Sequence, residues 1–218
     1  MAGRDRGLAA HEVPREERHE LARRALPLLY PGHNSTAGSG RYDPIQLTAY
    51  QATWPVVFTR HRNRLAGALG PVAMRICHVG STAVPGLPAK PIIDIQITVP
   101  DQFREHDYVD QIESLGIQLR SRDDQHRYFR PFPGSPRDVH VHVCSGGSGW
   151  EREHLLLRDY LRGHPDAAAA YALVKRKAAA LWADDMVAYT EAKDDVIRDA
   201  LDAAQKWAAA TGWGLASA

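Results

Sequence analysis

Three groups of residues have types and spacings suited to chemistry. The first lies in HVGSTAVPGLPAKPIIDIQITV, residues 78–99. A small-residue turn, Gly80-Ser81-Thr82, follows a short apolar run, and a loop stiffened by Pro85 and Pro91 leads into a strand bearing Asp94. Exposed backbone N–H groups and a hydroxyl in such a turn can cradle phosphate oxygens. Read with period two, Ile93, Ile95 and Ile97 share one face of the strand, and Asp94, Gln96 and Thr98 the other. A carboxylate on a strand otherwise fit for burial is costly to desolvate unless it is paired or binds a cation. Mg²⁺ favours such oxygen ligands. Lys90, four residues earlier, can reach a phosphate or neutralise Asp94.

The second group is Asp138–Cys144, where Val139, Val141 and Val143 alternate with Asp138, His140 and His142. Side chains at i and i+2 stand roughly 7 Å apart along a strand, so the two imidazoles can converge on one ligand. Beside Asp94 they would form a mixed N/O site for Mn²⁺, Zn²⁺ or Fe²⁺. Alternatively they donate to a phosphate or act as acid and base near neutral pH. The arrangement requires the two strands to be neighbours with Asp94 and a histidine in one cleft. The structural alternative is two histidines on a solvated sheet face.

The third group is basic. Arg158 and Arg162 share a helix face, Tyr171/Lys175 and Tyr189/Lys193 repeat one i,i+4 pairing, and Arg127 sits in the strand HRYFR. Guanidinium forks and ammonium charges both suit phosphate, although a solvated helix face explains any one of them alone. Asp159 is expected to pair with a neighbouring arginine.

The elements that must position these groups follow from periodicity and breakers. Residues 1–43 read as an extension: a helix within 12–29, with Leu21, Ala25 and Leu28 on one side, then the breaker-rich PGHNSTAGSGRYDP. The core, residues 44–149, opens with the strand IQLTAY and a helix from Trp54-Pro55 to Leu69. Strands at 74–79 and 91–99, a helix at 101–115 anchored by Phe103, Tyr108, Ile112 and Leu115, and strands at 117–120, 127–132 and 138–144 follow. Residues 150–212 read as helical, in three helices of which Thr190 caps the last. Strands interspersed with helices, then a helical half, give an α+β class.

Of the 218 residues, 44% are hydrophobic and 24% charged, and the net charge is +1, so nothing favours bulk electrostatic capture of nucleic acid or an anionic membrane. No apolar run is long enough to span a bilayer, and the N-terminus is charged rather than a signal peptide, which points to the cytoplasm. Cys77 and Cys144, in expected strands, are read as small hydrophobes.

The string GSTAVPGLPAKPIID resembles the signature of the GrpB family, an uncharacterised branch of the nucleotidyltransferase-fold superfamily. LLLRDYLRGHPDAAAAYALVKRKAA and YTEAKDDVI resemble two further motifs of that family, so the likeness runs from about Ile45 to Trp207. The resemblance implies a nucleotidyltransferase-like mixed sheet with a helical C-terminal half. It also implies a site in which Gly80, Ser81 and Thr82 hold phosphates, a divalent metal (Mg²⁺ or Mn²⁺) sits on Asp94, and Arg158, Tyr171, Lys175 and Lys193 form a polyphosphate-binding wall. The H-x-H strand resembles the element that supplies a third metal ligand. The chain departs from working nucleotidyltransferases at Gln96, where those enzymes carry a second acid. In some bacteria such a domain is fused to dephospho-coenzyme A kinase, a hint of nucleotide or coenzyme A metabolism. The leading expectation is a transferase acting on a nucleoside triphosphate and a small acceptor. A non-catalytic nucleotide or anion binder, and a metal enzyme using Asp94, His140 and His142, stand as alternatives. A small molecule or nucleotide is the expected partner, with no membrane and no nucleic acid.

Overall fold

A computed structural model describes residues 44–215. The helix expected within residues 12–29 and its linker lie outside the described residues.

Helix α1 (Trp54–Leu69) starts with Pro55 in its first turn and stops at Gly70, whose φ of 52° needs glycine. Strands β1 (Arg75–Val79), β2 (Ile93–Val99), β3 (Ile117–Arg122), β4 (Arg127–Pro131) and β5 (Val139–Ser145) form one sheet in the order β1-β2-β5-β4-β3. Only the β2–β5 pair is parallel. A short helix, α2 (Val109–Glu113), precedes β3. The C-terminal half comprises α3 (Gly149–Gly163), α4 (Pro165–Leu181), α5 (Met186–Glu191) and α6 (Asp194–Thr211). The α+β class with a helical C-terminal half is the one the sequence implies.

Alternation along β2 and β5 divides the sheet into two unlike faces. On one, Ile93, Ile95, Ile97, Val139, Val141 and Val143 pack with Phe129 against Trp54, Leu65 and Leu69 of α1 and Ile112 of α2. This is the main core. The other carries Asp94, Gln96, Thr98, His140 and His142. Helix α3 crosses part of that polar face, with Glu151 at its start bonded into β2. Glu151 Oε2 accepts from the Gly147 N–H at 2.7 Å, while Ser148 Oγ accepts from the Glu151 N–H, a reciprocal cap of the helix start. Glu151 Oε1 also accepts from Thr98 Oγ1 at 2.6 Å, tying α3 to β2. Helix α6 closes over α3 through Leu156, Ala204 and Ala208.

Three elements differ from expectation. IQLTAY forms only an isolated bridge, Thr48 to Ala89, while its start turns to the helical half, where the Ile45 N–H donates to the Ala183 carbonyl and Ile45 packs with Ala178 and Tyr189. Residues 101–115 split into a 3₁₀ turn (Glu105–Asp107) and α2. Phe103 is exposed, and the Tyr108 hydroxyl donates back to the Gln102 carbonyl, which fixes a compact turn instead of a continuous helix. Thr190 lies inside α5, whose cap is Asp185, accepting from the Ala188 N–H at 3.0 Å. Among the described residues no helix is long and apolar enough to cross a membrane.

Candidate functional site

Asp94 is in register with Val79 of β1 and His140 of β5, so the turn after β1 and the H-x-H strand meet at its carboxylate. Gly80 follows with φ 69°, and a Cβ there would stand 2.5 Å from Asp94 Oδ2. Glycine is thus needed twice, for the backbone angle and for the approach of the acid. Ser81–Ala83 form a 3₁₀ turn whose first residue is half-buried.

On the other side, His140 Nδ1 lies 3.3 Å and His142 Nε2 4.0 Å from Asp94 Oδ1. Burial works against the Asp94 charge. The hydrogen bond from His140, with the charges of His140, His142 and Lys90, outweighs it and holds the carboxyl below its usual range. Burial keeps the His142 imidazole well below its ordinary value, hence neutral at pH 7. With the His140 Nδ1–H given to Asp94, its Nε2 is the basic nitrogen. The pair can therefore take a proton from a bound hydroxyl.

Three ammonium groups approach this acid, Lys90 from the turn loop and Lys175 and Lys193 from the helical half. Lys90 lies 5.6 Å and Lys193 4.3 Å from the centroid of the buried Tyr189 ring. Lys175, only 3% exposed, donates to the Pro88 carbonyl at 2.6 Å and sits 5.2 Å from the Tyr171 ring centroid. Burial first, then repulsion from Lys193, lowers Lys175 to about 7, against which Asp94 acts. Burial and Lys90 lower Lys193 to about 8. Lys90 is lowered by burial and supported by Asp94. Asp94 is thus the shared carboxylate for three crowded cations from the turn loop, α4 and the junction of α5 with α6, an arrangement that calls for a further anion.

Gly80, Ser81, Lys90, Asp94, His140, His142, Tyr171, Lys175 and Lys193 gather here; three other expected residues do not serve as expected. Thr82 is buried and bonded to His78 Nε2 at 2.9 Å and to the Ile92 carbonyl, so it clamps the turn from behind. Arg158 is 7% exposed and forks onto Asp159 at 2.7 and 3.0 Å while reaching the His78 carbonyl, so its guanidinium is already engaged. Arg127 points to the opposite face, where it bonds Glu105 Oε1 at 2.6 Å, because it is in register with Val143 and not with a histidine.

The residue facing the site from β4 is Tyr128, in register with His142 and with its ring 5.2 Å from both His140 and His142. Burial, then Asp94, pushes its phenol pKa up. Beyond it, Trp150 stacks on His154 at 3.7 Å and lies 4.8 Å from His126, making an aromatic wall. Burial lowers His154 to about 4. HRYFR does carry a signal for Tyr128, its alternation with Arg127, but the parity depends on the turn before β4. Nothing local announces Trp150 and His154, which arrive on α3.

A resident metal does not fit these donors. The 3.3 Å contact is that of a carboxylate paired with an imidazole, and Gln96, at the usual second-acid position, is fully buried beneath α3. Among the described residues no group of three or more His, Cys, Asp or Glu could hold a metal ion. The metal-ligand role expected of Asp94, His140 and His142 finds no such group among the described residues.

A mixed five-stranded sheet with a glycine–serine turn against one strand acid, walled by lysine-bearing helices, defines an α+β protein with a polar site on one sheet face. The family model described as GrpB protein matches residues 44–203, and the chain belongs to that family. It is 46% identical over 153 residues to the UPF0157 protein SCO7215 of Streptomyces coelicolor, covering 70% of this chain and 80% of that one. It is 34% identical to a protein named dephospho-CoA kinase from Mycolicibacterium paratuberculosis, covering 83% of this chain but only 51% of that protein. Among solved structures, the conserved protein GrpB from Enterococcus faecalis superposes with a TM-score of 0.68 at 30% identity, over 74% of this chain and 98% of that one. The Cid1 poly(U) polymerase gives a TM-score of 0.42 at 13% identity, over 58% of this chain and 43% of that one.

Proposed function

We propose that this protein is a transferase that binds a nucleoside triphosphate and passes a nucleotidyl or phosphoryl group to a small acceptor. The observation that carries this reading is the convergence of Lys90, Lys175 and Lys193 around Asp94, next to the Gly80-Ser81 turn, with Asp194 the further acid that acts on Lys193. Their charges and the turn amides hold the polyphosphate. Asp94 orients His140, whose Nε2 takes the acceptor's hydroxyl proton. The acceptor oxygen bonds to phosphorus and the bond from that phosphorus to the bridging oxygen breaks; pyrophosphate (nucleotidyl transfer) or the nucleoside diphosphate (phosphoryl transfer) leaves, its phosphates still on the lysines. Protein work of this kind is mainly positioning and neutralisation of charge. A divalent cation, where required, enters as part of the nucleotide complex.

Titration with a non-hydrolysable ATP analogue tests this reading. Lys175→Gln and Lys193→Gln should each weaken binding about tenfold to a hundredfold, since one charge-assisted contact is worth about 1.5–3 kcal/mol. Asp94→Asn should abolish transfer while leaving the analogue bound. An analogue that binds neither the wild type nor any variant contradicts the reading.

A further inference from the structure

The arginines of β3 and β4 divide by sheet face. On the core side, Arg122 and Arg127 both bind Glu105, at 2.8 and 2.6 Å. On the polar side, Arg130 pairs in register with Gln118, two residues along β4 from Tyr128 and on the same face. Arg120, at the irregularity between Leu119 and Ser121, turns toward the same side chain and donates to Gln118 Oε1 at 2.9 Å. Among the described residues, neither Arg120 nor Arg130 has a carboxylate partner. Both lie within electrostatic reach of Tyr128, as does Asp94 from the other side. Helix α3 covers the polar face toward β1, through Arg158 to the His78 carbonyl and Arg162 to the Ala83 carbonyl. The β4–β3 side is where half-exposed Tyr128 and Arg130 and exposed Arg120 stand.

Two cationic groups therefore flank the Asp94–His140 pair, ammonium groups toward the helices and guanidinium groups toward β3. We propose that the acceptor is itself a small phosphorylated compound, which enters over β4 and β3 with its phosphate held by Arg130 and Arg120 and its hydroxyl beside His140. The inference rests on the transferase reading above for the donor's place. Charge complementarity identifies the occupant. Planar guanidinium forks match phosphate oxygens, and Gln118 already uses one donor of Arg120, which fixes that fork. A small molecule fits better than a nucleic-acid strand, because the patch is local and the whole chain carries a net charge of only +1. In the transfer step, the acceptor's hydroxyl oxygen gains the bond to phosphorus and its proton passes to His140. The acceptor's own phosphate takes no part beyond positioning.

Inorganic phosphate is the probe. Protein saturated with the non-hydrolysable ATP analogue should still bind phosphate, and the Arg120→Gln/Arg130→Gln double variant should weaken that binding at least tenfold. The analogue's own affinity should change less than twofold. The same arginine dependence should appear in Lys175→Gln/Lys193→Gln protein without nucleotide, so failure of the triphosphate reading would leave this result visible. Phosphate binding indifferent to the arginines overturns the proposal. So does a DNA or RNA oligonucleotide that binds through these arginines more tightly than phosphate, because the acceptor would then be a polymer.

Discussion

At the scale of single residues, the site depends on how closely Gly80 approaches Asp94. A methyl at position 80 meets Asp94 Oδ2 at 2.5 Å on a backbone with φ 69°, so Gly80→Ala has both a conformational and a steric cost. Gly134, with φ 86° and open space around it, isolates the conformational part. Gly134→Ala should cost about 1–2 kcal/mol, and Gly80→Ala clearly more, with loss of ATP-analogue binding as well. Equal melting temperatures for the two variants would show that the acid does not press on the turn. Asp94, His140 and His142 were legible in the sequence because alternation among isoleucines and valines fixes their face without tertiary information. Arg127 was misread for the complementary reason. A five-residue strand carries polar groups on both faces, and only its register with β5 shows that Tyr128, not Arg127, is in the site. Arg158 and Thr82 lie near the right place but are occupied by Asp159 and His78, which no motif reveals.

At the scale of elements, α3 decides what the second-acid position can do. Gln96 is fully buried, its Nε2 directed at the Glu151 carbonyl at 3.4 Å and its Oε1 without a partner. Restoring an acid there with Gln96→Glu would not build a metal site. It would bury a second carboxylate beside Glu151, at a cost of about 3–5 kcal/mol. Denaturant unfolding should show that loss, with no gain in Mn²⁺ affinity by calorimetry. Gln96→Met should be close to neutral, because it removes an unsatisfied oxygen. A Gln96→Glu variant as stable as wild type that binds Mn²⁺ more tightly would show that α3 does not seal the position. Elements with strong breakers, such as α1 between Pro55 and Gly70, were readable to the residue. Those decided by tertiary partners were not. The segment 101–115 bends to satisfy Tyr108, and α5 ends before Lys193 so that this side chain can lie over Tyr189.

At the scale of the molecule, a net charge of +1 conceals a marked separation. The helical half contributes cations to a sheet that contributes one acid, and burial keeps two of those cations near neutrality: Lys175 at about 7 and Lys193 at about 8. Lys90, Asp94 and Asp194 are the other charged groups that act on them. A polyphosphate placed among them favours their charged forms and must raise both values, so binding and protonation are linked. At pH 8 the terminal group of the analogue is itself partly protonated, so the free analogue's own proton release is measured and subtracted to give the protons taken up by the protein. The measurement is calorimetric titration of a non-hydrolysable ATP analogue at pH 8 in two buffers of different ionisation enthalpy. Uptake of about one proton per nucleotide is expected, with an affinity that falls as the pH rises from 7 to 9, both lost in the Lys175→Gln/Lys193→Gln protein. Binding with no proton uptake, and with the same affinity in that variant, would contradict that linkage.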